Sequence, residues 1–122
     1  MPTNTTDFYL GNPNLKKVGA EIQFTKEQIS EYLKCKEDPV YFAMNYIKII
    51  SLDEGIVPFK MWDFQQELIE KFHKHRFNIA KLPRQTGKST TCVSYLLHYV
   101  LFNDNVNVGI LANKLSTARD LL

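Results

Sequence analysis

Apolar positions along the chain fall into runs of helical and of strand period, and the changes of period mark the elements. Thr25 followed three residues later by Gln28 reads as a capping box, and Ile29, Tyr32 and Leu33 give the helix it opens an apolar stripe. Asp38-Pro39 opens a second helix, with aspartate as cap and proline in the first turn. Val40, Phe42, Ala43, Tyr46, Ile47 and Ile50 give that helix a wide core face. A turn is expected at Asp53-Glu54-Gly55. Asp63 reads as the cap of a third helix that carries Phe64, Leu68, Ile69 and Phe72 inward.

The second half changes period. Phe77 to Leu82 is a short apolar run of strand length. A helix from Lys88 to about Phe102 follows, with Val93, Leu96, Leu97, Val100 and Leu101 at helical spacing, and Asn103-Asp104-Asn105 breaks it. Val106 to Ala112 reads as a second strand with Val106, Val108 and Ile110 on one face, and a last helix begins near Asn113–Ser116. Strand, loop, helix, strand is a βαβ order, expected to be parallel and right-handed. The organisation expected is an extended arm over residues 1–20, a helical segment over 21–60 and the start of an α/β core over 61–122.

Composition adds little to this picture and charge adds more. The 122 residues are 44% hydrophobic and 23% charged, ordinary for one small globular domain. The net charge of +2 is too small to argue for nucleic acid. Six basic residues and no acid lie between Lys71 and Lys88, however, while the other nine basic residues face all thirteen acids. A phosphate ligand would account for that excess, although Lys71, Lys74 and Arg76 are sufficiently explained as favourable charges at a helix C-terminus. Cys35 and Cys92 lie in no metal or CxxC spacing and read as reduced structural thiols; His73, His75 and His98 form no zinc pattern. No stretch is long enough to span a membrane, and the N-terminus lacks the layout of a signal peptide.

The chemistry sits in Leu82-Pro83-Arg84-Gln85-Thr86-Gly87-Lys88-Ser89. This is the pattern of a phosphate-binding loop with leucine in place of its first glycine. Such a loop needs backbone N–H groups converging on an anion, a lysine for the β/γ-phosphates and a hydroxyl for Mg²⁺. Gly87, Lys88 and Ser89 meet those needs in order, and the helix that follows aims its positive end at the same point. A bare Gly-Lys-Ser arises by chance in roughly one chain in twenty of this size. The apolar run before it and the helix after it are what the mechanism requires. Leu82 does not exclude the loop, because that position eases a turn and does not bind phosphate. Pro83 stiffens the approach by fixing φ, and Arg84, Gln85, Thr86 and Thr90 complete the candidate nucleotide-binding set.

Several stretches together resemble the N-terminal part of the large terminase subunit of tailed bacteriophages, in particular the contractile-tailed myovirus type. They are Arg84-Gln85-Thr86-Gly87-Lys88-Ser89, Asp63-Phe64-Gln65, Val108-Gly109-Ile110-Leu111-Ala112-Asn113-Lys114, Gly11-Asn12-Pro13-Asn14-Leu15-Lys16 and Asp38-Pro39-Val40-Tyr41-Phe42-Ala43. The resemblance covers nearly the whole chain. It implies a P-loop NTPase fold of RecA/ASCE type, an α/β parallel-sheet core preceded by N-terminal helices. It implies an ATP-driven motor that moves double-stranded viral DNA into a capsid, with a separate C-terminal nuclease domain. It also implies portal protein and small terminase subunit as partners, and the host cytoplasm, transiently the portal vertex of the procapsid, as location. Carried over by position, Lys88 would bind the β/γ-phosphates of ATP, Ser89 would hold Mg²⁺, Arg84 would sense the γ-phosphate and Gln65 would read adenine. Gln65 also reads as a partial helix cap, and Gln66 competes for the adenine role.

ATP hydrolysis by such motors needs an acidic pair closing another strand. The only acids after Lys88 are Asp104, in a turn, and Asp120; neither closes a strand. The chain therefore reads as a truncated or split relative whose sheet stops after its second strand, with negligible turnover of its own. The alternatives are a nucleotide-binding fragment of a helicase-type ATPase and a non-catalytic interaction fragment.

Overall fold

The computed structural model describes residues 8–12, 15–19, 23–51 and 53–121. Half of the expected arm, including Pro13 and Asn14 of the early motif, lies outside them. Within the arm, a short 3-10 turn at Tyr9–Gly11 is closed by the Asn12 amide donating to the Tyr9 carbonyl at 3.0 Å; the Tyr9 amide donates to the Leu15 carbonyl at 2.8 Å, and Phe8 and Lys16 form an isolated antiparallel bridge.

Helix α1 spans Lys26–Glu37. The Thr25 hydroxyl accepts from the Gln28 amide at 3.2 Å and the Gln28 side chain accepts from the Thr25 amide at 3.0 Å, so both arms of the capping box are made. Helix α2 spans Pro39–Tyr46, and Asp38 accepts from the Val40 and Tyr41 amides at 2.9 and 3.0 Å. The Tyr41 and Tyr46 hydroxyls both donate to Glu31, at 2.8 and 2.9 Å, and tie α2 back onto α1. Those donors hold the Glu31 carboxyl below its usual range, while the Tyr46 phenol is pushed up to about 12.

The second helix ends earlier than its apolar spacing suggested. Ile50 does not extend it. Lys48–Ser51 forms β1, which pairs antiparallel with β2, Gly55–Pro58, in the register Lys48↔Pro58, Ile49↔Val57, Ile50↔Ile56 and Ser51↔Gly55. Gly55 takes φ +75, the left-handed conformation that closes the expected Asp53-Glu54-Gly55 turn without a Cβ penalty. Ile49 faces the interior, whereas Ile50 and Ile56 form an exposed cross-strand pair.

Helix α3 is Asp63–Lys74 and α4 is Lys88–Phe102; both pack against α2 and against each other. Ala43, Phe59, Met61 and Ile69 form the centre of the core, flanked by Val40, Ile47, Ile49 and Tyr95. Two inward assignments change here. Asp63 is the first residue of α3 rather than its cap, and Phe64 is partly exposed while Gln65 is buried. On α4 the buried residues are Thr91, Ser94 and His98, not the apolar stripe: Leu97, Val100 and Leu101 are exposed. The polar stripe can be buried because its hydroxyls are satisfied within the helix. Thr91 Oγ1 donates to the Gly87 carbonyl at 3.0 Å and Ser94 Oγ to that of Thr90 at 2.7 Å.

The two segments read as parallel strands carry no ladder. No backbone–backbone hydrogen bond leaves residues 77–82 or 106–112, and the hairpin β1–β2 is the only sheet among the described residues. A strand is defined by its partner, and neither apolar segment has one. Phe77, Ile79 and Leu111 stand almost fully exposed. Helix α5, Leu115–Arg119, follows near the expected start. No helix is long and apolar enough to cross a membrane among the described residues.

His98 joins the helices at an aromatic cluster. Its ring lies 5.5 Å from Phe42, 4.8 Å from Phe102 and 6.1 Å from His73. Its Nε2 lies 2.8 Å from the Cys35 carbonyl, so Nε2 carries the proton and donates, while the buried Nδ1 has no partner among the described residues. Burial pushes the imidazole below its ordinary value of 6.5; the neighbouring His73 pushes the same way, and the Cys35 carbonyl and Asp38 oppose it. The unfolded chain therefore accepts a proton that the folded one resists. Stability should be full above the ordinary histidine value and decline as pH falls below it. Melts of wild type and His98→Gln between pH 7.5 and 5 check this; the wild type should lose melting temperature more steeply. Parallel slopes would remove His98 as the cause.

Candidate functional site

The loop between residue 82 and α4 is built on two left-handed residues, Gln85 at φ 62 and Gly87 at φ 68. Such reversals within a turn let successive backbone N–H groups point to one side, the geometry of an anion nest. Gln85 pays a steric cost of roughly 1–2 kcal/mol for that conformation, whereas Gly87 does not. The Pro83 carbonyl closes the loop from within: Thr86 Oγ1 donates to it at 3.1 Å and Lys88 Nζ at 3.3 Å.

Gly87 is the N-cap of α4 and offers no side chain to cap it. The first-turn N–H groups of a 15-residue helix thus open towards the loop with the positive end of the helix dipole behind them. Lys88 is half-buried and its ammonium has a single neutral acceptor. Ser89 and Thr90 are exposed, and the Ser89 hydroxyl makes no hydrogen bond among the described residues. Arg84 is exposed at the tip of the turn with no ion pair among the described residues. Pro83 to Thr90 thereby form one continuous surface, as their adjacency in sequence requires.

Gln65 reaches this loop from α3. It is only 3% exposed, and both ends of its amide are engaged. Oε1 accepts from the Trp62 amide at 3.0 Å, and Nε2 donates to the Thr86 carbonyl at 3.2 Å. In this structure it is a strut from the start of α3 to the phosphate loop. Reading a base would fall to its second N–H and its second lone pair. Gln66 turns elsewhere, its Nε2 donating to the Met61 carbonyl at 3.3 Å. The strut also explains the glycine at 87: a Cβ there would stand 2.7 Å from Gln65 Nε2.

A cavity of about 430 Å³ lies beside the loop, lined by Phe59, Trp62, Phe64, Gln65, Thr86 and Gly87 among others. Its volume and its aromatic walls suit a nucleobase. Trp62 escaped the sequence reading, which gave Phe64 an inward, core-facing role; the two flank Asp63 directly before Gln65. A second cavity, about 370 Å³, brings Asp120 to the same opening as Ser89 and Thr90. Mg²⁺ prefers oxygen ligands, keeps several waters and commonly arrives with its phosphates. One free hydroxyl with a carboxylate nearby fits that ion as a shared ligand, not as an all-protein cage. Among the described residues no three His, Cys, Asp or Glu side chains gather into a metal cluster.

The chain matches no protein-family model.

Proposed function

We propose that this chain binds a magnesium–adenine nucleotide at the loop Pro83–Thr90, as the N-terminal part of a terminase-type, P-loop motor ATPase. One observation carries the reading: the uncapped N-terminus of α4 opens under a doubly left-handed turn that holds Lys88 and Ser89 together. The β- and γ-phosphates would lie over the first-turn N–H groups, with the Lys88 ammonium moving from the Pro83 carbonyl to the anion. The base would lie between Trp62 and Phe64. Mg²⁺, when bound, neutralises phosphate charge; Ser89 would supply its protein hydroxyl, with Asp120 the acid that lines the same opening. Arg84 would meet the outermost phosphate. Double-stranded viral DNA, portal protein and small terminase subunit, and action in the host cytoplasm, belong to this proposal through the resemblance.

Trp62 is the single tryptophan and 72% exposed on the wall of the base cavity, which makes it a built-in reporter. Its emission should change on titration with Mg²⁺–ATP, and pyrophosphate should compete with the nucleotide. A flat titration with ATP and ADP alike would dispose of the site. Phosphate release should stay at background, because among the described residues Asp120 is the one carboxylate lining the opening beside Ser89, and no second one lines it to orient water. Turnover that disappears in Lys88→Ala would mean that the described residues hold a complete catalytic set.

A further inference from the structure

A cavity of about 300 Å³ lies where side chains of α1, α2 and the end of α4 meet. Helical spacing puts them there: Glu31 and Tyr32 share a face of α1 with Cys35, and Phe42 shares a face of α2 with Tyr46. Four aromatic rings follow one another round the space. Tyr32 lies 5.1 Å from Phe102, Phe102 lies 5.5 Å from Phe42, and Phe42 lies 6.0 Å from Tyr46, centroid to centroid. The ring planes turn along the way, Phe102 standing at 88° to Phe42 and at 55° to Tyr32. Glu31 closes the circuit, because it precedes Tyr32 on α1 and accepts from the Tyr46 hydroxyl at 2.9 Å. Tyr32 and Tyr46 are each 52% exposed, so solvent reaches the rim, while Phe42 and Cys35 are the buried part of the lining.

We propose that this cavity binds the trimethylammonium head of a small free molecule of choline type. Aromatic faces carry the negative part of the ring quadrupole, and several rings round one space attract a cation. The one charged side chain in the lining is an anion, Glu31. The Tyr41 and Tyr46 hydroxyls both donate to its Oε1, which fixes the carboxylate and holds it below its usual range, ionised at neutral pH. Its other oxygen, Oε2, has only Lys34 Nζ within ion-pair range among the described residues, at 4.0 Å, an exposed pair of small worth. The Cys35 thiol stays neutral, because burial first and Glu31 next push it up. Rings rather than hydrogen-bond acceptors make up most of the lining. A primary ammonium would give up water there with few acceptors for its three N–H groups, whereas a quaternary one has no N–H to satisfy. A neutral apolar ligand would desolvate the carboxylate and return no charge to it. The volume suits a compact head on a short stem. The walls are helix side chains, and helices spend their main-chain groups internally, so no ladder edge is offered to a peptide. The cavity shares no lining residue with those beside the nucleotide loop and does not depend on nucleotide binding.

Proton NMR of the full chain with choline tests it. The trimethyl protons should show cross-relaxation with the rings of Tyr32, Phe42 and Phe102, at a dissociation constant on the order of 1 mM. The neutral carbon isostere of choline, with tert-butyl in place of trimethylammonium, should bind about tenfold more weakly or worse. Glu31→Gln keeps an acceptor for the tyrosines and removes the charge; it should weaken choline about tenfold and leave the isostere unchanged. Tyr32→Leu alters a half-exposed ring, so the chain should still melt cooperatively, with choline weakened about threefold or more. No cross-relaxation with the rings, equal affinity for choline and its isostere, or a choline affinity that survives either substitution in a folded variant overturns the site. The isostere comparison needs no variant and decides even where one fails to fold. A trimethyllysine peptide or phosphatidylcholine vesicles binding more than about tenfold tighter than choline would pass the cavity to a macromolecule and overturn the proposed occupant.

Discussion

Lys88→Ala should lower the affinity for Mg²⁺–ATP about ten- to a hundredfold, the loss of a charge-assisted contact worth roughly 1.5–3 kcal/mol. Lys88 is half-buried and has no carboxylate partner among the described residues, and its ammonium rests 3.3 Å from the Pro83 carbonyl across the loop it would close on phosphate. That parking bond is neutral, so an anion displaces it readily. Melting temperature should barely move, because one neutral, loop-internal bond is lost and no buried charge is stranded. Calorimetry on both proteins is the measurement. Equal affinities would remove the loop from the binding site, whatever the pattern of its residues.

Gln65→Ala should have the largest effect on stability. The side chain is buried, and its loss leaves the Trp62 amide and the Thr86 carbonyl without their partners. Unmade bonds at partly buried groups cost roughly 1–3 kcal/mol, or about 4–12 °C of melting temperature in a domain of this size. ATP and GTP affinities should fall together, because what slackens is the loop that holds phosphate. A fall confined to ATP would show that Gln65 reads adenine directly, and an unchanged melt would show that the strut carries no load. Gln66→Ala is the control, since Gln66 makes one bond, to the Met61 carbonyl, away from the loop.

What the sequence made legible is what local chemistry decides. Thr25 with Gln28, and Asp38 with Pro39, place two helix starts because each cap needs only residues within its own first turn. The bounds of α4 follow from Gly87 and from the Asn103-Asp104-Asn105 break. The loop was legible for the same reason: its residues are contiguous. What failed depends on partners far along the chain. Ile50 fits a helical stripe as well as a strand, and only its pairing with Ile56 settles the matter. Residues 77–82 and 106–112 have strand-like composition, but composition cannot supply a ladder. Thr91 and Ser94 look like surface residues until their hydroxyls are seen to bond the carbonyls four residues back. Gln65 is legible as a partial helix cap, and its bond to the Trp62 amide makes that cap; its second bond, to the Thr86 carbonyl, depends on a residue 21 positions away.

The strut has a consequence for how a ligand would be felt. One amide holds the backbone beside the aromatic cavity and the backbone of the anion loop at once. Occupying either half should therefore order the other, and such a coupling is reciprocal by thermodynamic necessity. Adenosine and pyrophosphate, offered as separate molecules, should each tighten the binding of the other, by about fivefold or more for a coupling of roughly 1 kcal/mol. In Gln65→Ala the two halves of the nucleotide should bind as strangers.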